Sequence, residues 1–150
     1  MALSYVQKSG CQRTAKHLVG MPAQDGDIYR LQIGGGGGQI IKVETVASPS
    51  AVKQGLSFRK SLDRGTGMFF VFSTLDYHTM WMPDMNFPLD VIWLDENLDV
   101  VHISYGLQPC PTRKMCPVTP SVKMAKYAIE VNEGDARAYG FEIGLKLKLI

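Results

Sequence analysis

Three groups of side chains have types and spacings that could do chemistry. The first is the cysteine pair in Pro109-Cys110-Pro111-Thr112-Arg113-Lys114-Met115-Cys116-Pro117. Prolines at 109, 111, 117 and 120 stiffen this loop, and a stiff loop can hold two thiols within bridging range. A disulfide and a pair of free thiols both fit, because a chain kept in a reducing compartment rarely holds disulfides. Zinc fits less well. The spacing is not C-x2–4-C, and only Cys11 and three histidines remain to complete four ligands. The second group is His78, Met80 and Met82, which share one face of an extended strand, with Met85 past the turn. Thioethers and an imidazole suit Cu(I), and with Cys110 and Cys116 they make a soft-metal candidate set. Methionine also fills irregular core gaps, which is the plainer reading of a Met-Trp-Met strand.

The third candidate is Asp90, inside Pro88-Leu89-Asp90-Val91-Ile92-Trp93-Leu94. A carboxylate in so apolar a strand must be paired, hydrogen-bonded or raised in pKa. It is the best single acid/base candidate, with His78 or His102 as partner. The structural alternative, which is favoured, has Asp90 accepting loop backbone N–H groups or pairing with Arg59. The chain holds no G-x-S-x-G elbow, no Walker sequence and no H-E-x-x-H. A hydrolase triad therefore lacks its nucleophile. No cofactor is expected, and the reading leans away from an enzyme.

The elements that must position these residues are mainly strands. The 150 residues are 45% hydrophobic and 20% charged, as in one folded globular domain. No apolar run nears the roughly 18 residues that span a bilayer, and the first residues lack a signal-peptide core. Neither a membrane partner nor export is expected. Alternation or short apolar runs mark strands at 28–33, 40–46, 67–72, 77–82, 89–94, 100–105 and 126–131. A terminal strand, Leu145–Ile150, alternates Leu with Lys as a solvated edge would. Ser48-Pro49 through Gly55 reads as a helix near residues 49–55, with a Ser cap, Pro at the first position and Gly at the stop. Many short strands with one short helix predict a mainly β fold, a compact antiparallel sandwich or barrel.

Gly34–Gly38 divides the chain. Five glycines suit a flexible joint or a wide hairpin loop. A phosphate loop is excluded, because strand-like sequence follows them where a helix is needed. Net charge is 16 − 14 = +2. Residues 1–38 hold Lys8, Arg13, Lys16 and Arg30 against Asp25 and Asp27, so all the excess lies there. This is too small to argue for nucleic acid as a primary target. The expected organisation is an N-terminal arm over 1–38, with a short helix over residues 11–19, and a β domain over 39–150.

The ordered motifs of the β domain resemble the family called domain of unknown function 192. They are Val43-Glu44, Gly55-Leu56-Ser57-Phe58-Arg59, Gly67-Met68-Phe69-Phe70-Val71-Phe72, Trp81-Met82, Pro88-Leu89-Asp90, Pro109-Cys110 with Cys116-Pro117, and Ala125-Lys126-Tyr127 before Asn132-Glu133-Gly134. The resemblance runs over residues 40 to 148. It implies a jelly-roll-like β-sandwich of roughly 110 residues and no established activity. Two departures stand out. Pro83-Asp84-Met85-Asn86 replaces a basic residue with Asn-Thr, and Gly144-Leu145 replaces a closing Gly-Asp.

The function expected from this reading is a non-catalytic structural or interaction module. Its arm would anchor it in a larger protein assembly through Lys8, Arg13, Lys16, Tyr29 and Arg30. A capsid decoration or cement protein is the most concrete version, in a virion or the cytoplasm. The alternatives are a small-ligand or enzyme site around His78, Asp90, His102 and the Cys110–Cys116 loop, and a soft-metal protein.

Overall fold

A computed structural model describes residues 23–150. Nine strands and two short helices follow in the order β1 (Ile28–Ile33), β2 (Ile40–Val46), α1 (Pro49–Gln54), β3 (Thr66–Asp76), β4 (Thr79–Met80), β5 (Leu89–Leu94), β6 (Val100–Leu107), β7 (Thr119–Pro120), β8 (Ala125–Asn132), α2 (Asp135–Ala138) and β9 (Leu147–Leu149). Seven strands form one sheet in the order β6-β5-β8-β3-β2-β1-β9, and β4 and β7 pair separately. The sheet curls until its ends meet. Leu98, Asp99 and Val100 at the start of β6 bond with Gly144 to Leu147, just before and within β9. The mainly β expectation holds, and the closed sheet is the barrel form of it. No helix among the described residues is long and apolar enough to cross a membrane.

The sheet is not antiparallel throughout. β2 and β3 run parallel, with Val43 opposite Gly67 and Val46 opposite Phe70. Parallel neighbours need a crossover, and residues 47–65, including α1, supply it. Ser48 Oγ accepts from the Ala51 N–H, Pro49 starts the helix and Gly55 ends it, as the residue types require. The second helix, α2, has four residues and no capping side chain of its own, so it left no mark in the sequence.

The glycine run is the β1–β2 hairpin loop, not a joint. Ile33 N donates to Gln39 O and Gly38 N to Gly35 O. A Cβ on Gly38 would collide with the Ile33 carbonyl. β1 pairs with β2 on one side and β9 on the other. Its residues belong to the barrel wall, and the boundary expected after residue 38 moves ahead of β1. Upstream, the Asp25 carboxylate accepts from Ala47 N at 2.7 Å and Ser48 N at 3.0 Å, which hold its pKa low together with the Ser48 side chain. The expected helix over residues 11–19 begins and ends outside the described residues.

Two apolar clusters sit on opposite faces of the same strands. Inside the barrel, Leu31, Val43, Phe69, Ile92, Ile129 and Leu147 pack with their neighbours. Outside it, Met68, Phe70, Phe72, Val91 and Trp93 are roofed by Leu56 and by Met80 and Met82. The run 67–72 is apolar throughout, and 89–94 is apolar except for Asp90, because each feeds both clusters. At β9, Leu147 and Leu149 face inward while Lys146 and Lys148 are exposed. That strand is no free edge, since Lys146 reaches Asp99 at 3.7 Å and β1 takes its other side.

β3 approaches β8 closely at Gly67. A Cβ there would stand 2.7 Å from the Glu130 carbonyl oxygen and 3.2 Å from Val131 Cγ1. Gly67→Ala is expected to cost about 1–3 kcal/mol by overpacking, read as a lower midpoint in urea unfolding. An unchanged midpoint would mean that the strand pair is looser than described.

Candidate functional site

Asp90 sits on the side of β5 opposite Val91 and Trp93, and its carboxylate is fully employed. Oδ1 accepts from Gly106 N at 2.9 Å, and Oδ2 accepts from Gly134 N at 2.9 Å and Ala136 N at 3.1 Å. It supplies from β5 the anionic cap that α2 lacks. Arg59 pairs instead with Glu44, through two N···O contacts of 3.0 and 2.9 Å. Asp90 is thus a structural carboxylate that joins β5, β6 and α2.

The other expected residues scatter. His78 stacks on Phe72 with ring centres 3.9 Å apart, and its Nε2 lies 3.1 Å from Thr74 O. His102 stands opposite Trp93 on β6. Neither histidine is bonded to Asp90, and the acid/base pairing is not assembled. Met80 and Met82 are buried in the outer cluster. Cys110 and Cys116 are joined in a disulfide with Cα atoms 5.0 Å apart. A 3-10 turn, Arg113–Met115, capped by Thr112 Oγ1, brings them together. Their thiols are therefore not metal ligands. No group of three or more His, Cys, Asp or Glu is placed to hold a metal among the described residues. Of the expected docking residues, Lys8, Arg13 and Lys16 lie outside the described residues. Tyr29 is 4% exposed among the barrel-core residues, while Arg30 is exposed on β1.

The residue the sequence reading passed over is Glu130. It lies on β8, between Met68 of β3 and Val91 of β5, and faces the outer cluster. Above it is a cavity of about 130 Å³. Phe70, Phe72, Met80, Trp81, Met85 and the C-terminal end of α1 line that cavity, with Glu130 in its wall. The residue is 5% exposed. Among the described residues no hydrogen bond or ion pair reaches its carboxyl group, which faces the cavity. Burial alone pushes its pKa from 4.5 up to about 8, because a charged form without a partner is poorly solvated there. Gly55 closes over it, and a Cβ at that position would lie 3.8 Å from Glu130 Oε2 and 3.2 Å from the Phe70 ring. The sequence cue for Glu130 was slight: Ile129 and Val131, both β-branched, flank it on an otherwise strand-like run.

The rim of the cavity is held in place from outside. The guanidinium of Arg113 lies 5.8 Å from the centre of the Trp81 ring and 2.8 Å from Asp84 Oδ2. Cys110 N donates to Met82 O at 3.2 Å. Ser57 Oγ donates to Pro83 O at 3.0 Å. The disulfide loop thus fixes the segment that carries Met80, Trp81 and Met85.

Two predictions separate these carboxyls. Asp90→Ala leaves three backbone donors without an acceptor and is expected to cost about 3 kcal/mol or more. Asp90→Asn should rescue little, since its NH2 group must meet a backbone N–H whichever way the amide turns; urea unfolding of both variants checks this. Glu130 acts in the opposite sense. The folded protein keeps its proton up to about pH 8, whereas the unfolded chain releases it near 4.5. The stability this confers is full below 4.5 and is lost as pH rises through 8. Wild type should lose a few kcal/mol relative to Glu130→Gln between pH 5 and pH 9. A constant difference over that window would show the carboxyl to be paired or solvated.

Known proteins of similar fold place the chain. A protein of unknown function from Novosphingobium aromaticivorans DSM 12444 is 25% identical with a TM-score of 0.72, over 81% of this chain and 84% of its own. A provisionally assigned transcription regulator from Sinorhizobium meliloti 1021 is 23% identical with a TM-score of 0.74, over 85% of this chain and 98% of its own. That likeness is one of fold. No curated protein matches the chain. The model of the domain of unknown function 192 family, described as an uncharacterized ACR, matches residues 30–149. It takes in the last four of the six residues of β1, and the chain belongs to that family.

Proposed function

We propose that the protein is a non-catalytic binding module that takes a small ligand into the cavity above Glu130. One observation carries this reading: a carboxyl group buried in an aromatic wall with no partner from the described protein. An unpaired buried polar group costs roughly 1–3 kcal/mol, and stability alone would favour an apolar residue there. Concave, mostly apolar sites with one convergent polar group are the usual form of a ligand pocket. The size suits a group of about six heavy atoms, since a cavity of roughly 150 Å³ takes up benzene. Binding is favoured over catalysis because, among the described residues, the cavity lining offers Glu130 no titratable partner but the rim residue Lys53, and Asp90, His78 and His102 are not part of that lining.

The assembly reading drew on an arm reaching across a flexible joint. With β1 built into the barrel and the glycines closing a hairpin, that joint is absent, and the cavity supports the ligand reading better.

The test is a nuclear magnetic resonance titration with small cationic, neutral and anionic fragments. At least one class should shift the backbone amides of Gly55, Leu56, Trp81 and Glu130, and Met85→Trp, which fills the cavity, should abolish those shifts. Fragments that perturb only distant surface amides would sink the proposal.

A further inference from the structure

Resting on that pocket reading, we infer that the group bound above Glu130 is a small organic cation of the alkylated ammonium type, with the Glu130 carboxylate as its counter-ion. The lining decides the class. Phe70, Phe72 and Trp81 present aromatic rings, and Met80 and Met85 present thioethers. These groups are electron-rich and donate little, apart from the indole N–H. A ligand with several hydroxyl or amide groups would find few partners inside, since Lys53 and Gln54 stand exposed at the rim, only Ser57 and Thr79 add hydroxyls, and Ser57 is already committed to Pro83. An anion would meet a carboxyl group. A diffuse cation needs no hydrogen bonds, is attracted by ring faces, and gives the carboxylate the opposite charge it lacks.

Binding and proton release are then one event. Glu130 is largely protonated at neutral pH when the site is empty, and it must ionise to hold a cation. The charged groups around it are few. α1 contributes Lys53, exposed at the rim; β3 and β5 face Glu130 with Met68, Phe70 and Val91. Farther out stand His78, stacked on Phe72, and the Arg113–Asp84 pair beside Trp81. Water at the mouth screens Lys53 from the ligand more than it screens Glu130, which is buried.

The experiment titrates the intact protein with tetramethylammonium and with tert-butanol, its neutral counterpart in shape, at pH 6 and pH 9. The amides of Gly55 and Trp81 report occupancy. Tetramethylammonium should bind up to about 100-fold more tightly at pH 9 than at pH 6, because the fraction of ionised Glu130 limits it. Glu130→Gln should remove that pH dependence and weaken binding at pH 9 at least tenfold, while His78→Gln should leave the dependence in place. Trp81→Leu should weaken tetramethylammonium and spare tert-butanol. Should tert-butanol bind as well, with tetramethylammonium indifferent to pH, the cation assignment falls and the pocket survives. If neither probe reaches the pocket and the wider fragment set also fails, the pocket reading falls too.

Discussion

The structure depends on three strands being buried on both faces. β3, β5 and β8 give one set of side chains to the barrel interior and the other to a second apolar layer outside it. A barrel of seven short strands encloses only a narrow core. The outer layer adds Trp93, Phe70, Phe72, Met68 and the roof of α1 and residues 77–87 to the buried apolar area. Burial of this kind, at roughly 25 cal/mol per Å², is the main term favouring the fold.

The same arrangement explains why a polar group within β8 matters. A residue there cannot reach water by turning over, because the other face is the barrel core. Asp90 and Glu130 show the two outcomes open to an acid so placed. Asp90 points to the barrel side of β5, where β6 and the start of α2 offer three N–H groups, and it becomes a structural tie. Glu130, one register row away, points to the outer side of the same sheet and faces the cavity. The chemistry of the two carboxyls differs because their donors differ.

The sequence made the strands legible through period and length, and the α1 caps through residue type. The twofold burial of 67–72 showed as an unbroken apolar run. Topology was less accessible. Nothing local distinguishes a crossover from a hairpin, so the parallel step from β2 to β3 was hidden in residues 47–65. The glycine run misled because five glycines suit a joint and a wide turn equally well, and the choice rests on whether β1 finds partners far along the chain. The site was partly legible. Met80 and Trp81 stood in the strand that drew attention, but Glu130 becomes conspicuous only when α1 and the disulfide loop are folded over it. A carboxyl's surroundings are a tertiary property, and one acid among fourteen acidic residues carries no mark of burial.

The closure of the barrel has a temporal side. β1 is the first strand of the described protein and β9 the last, yet they are neighbours, and residues 144–147 also seal the start of β6. Until residues 147–149 pair, the wall stays open with two unsatisfied edges. Closing the barrel pairs Leu31 with Leu149, and a contact so distant in sequence slows folding. The nascent barrel spends that interval with its strand edges exposed to other chains. The alternating lysines of the tail keep those last edges charged while they wait.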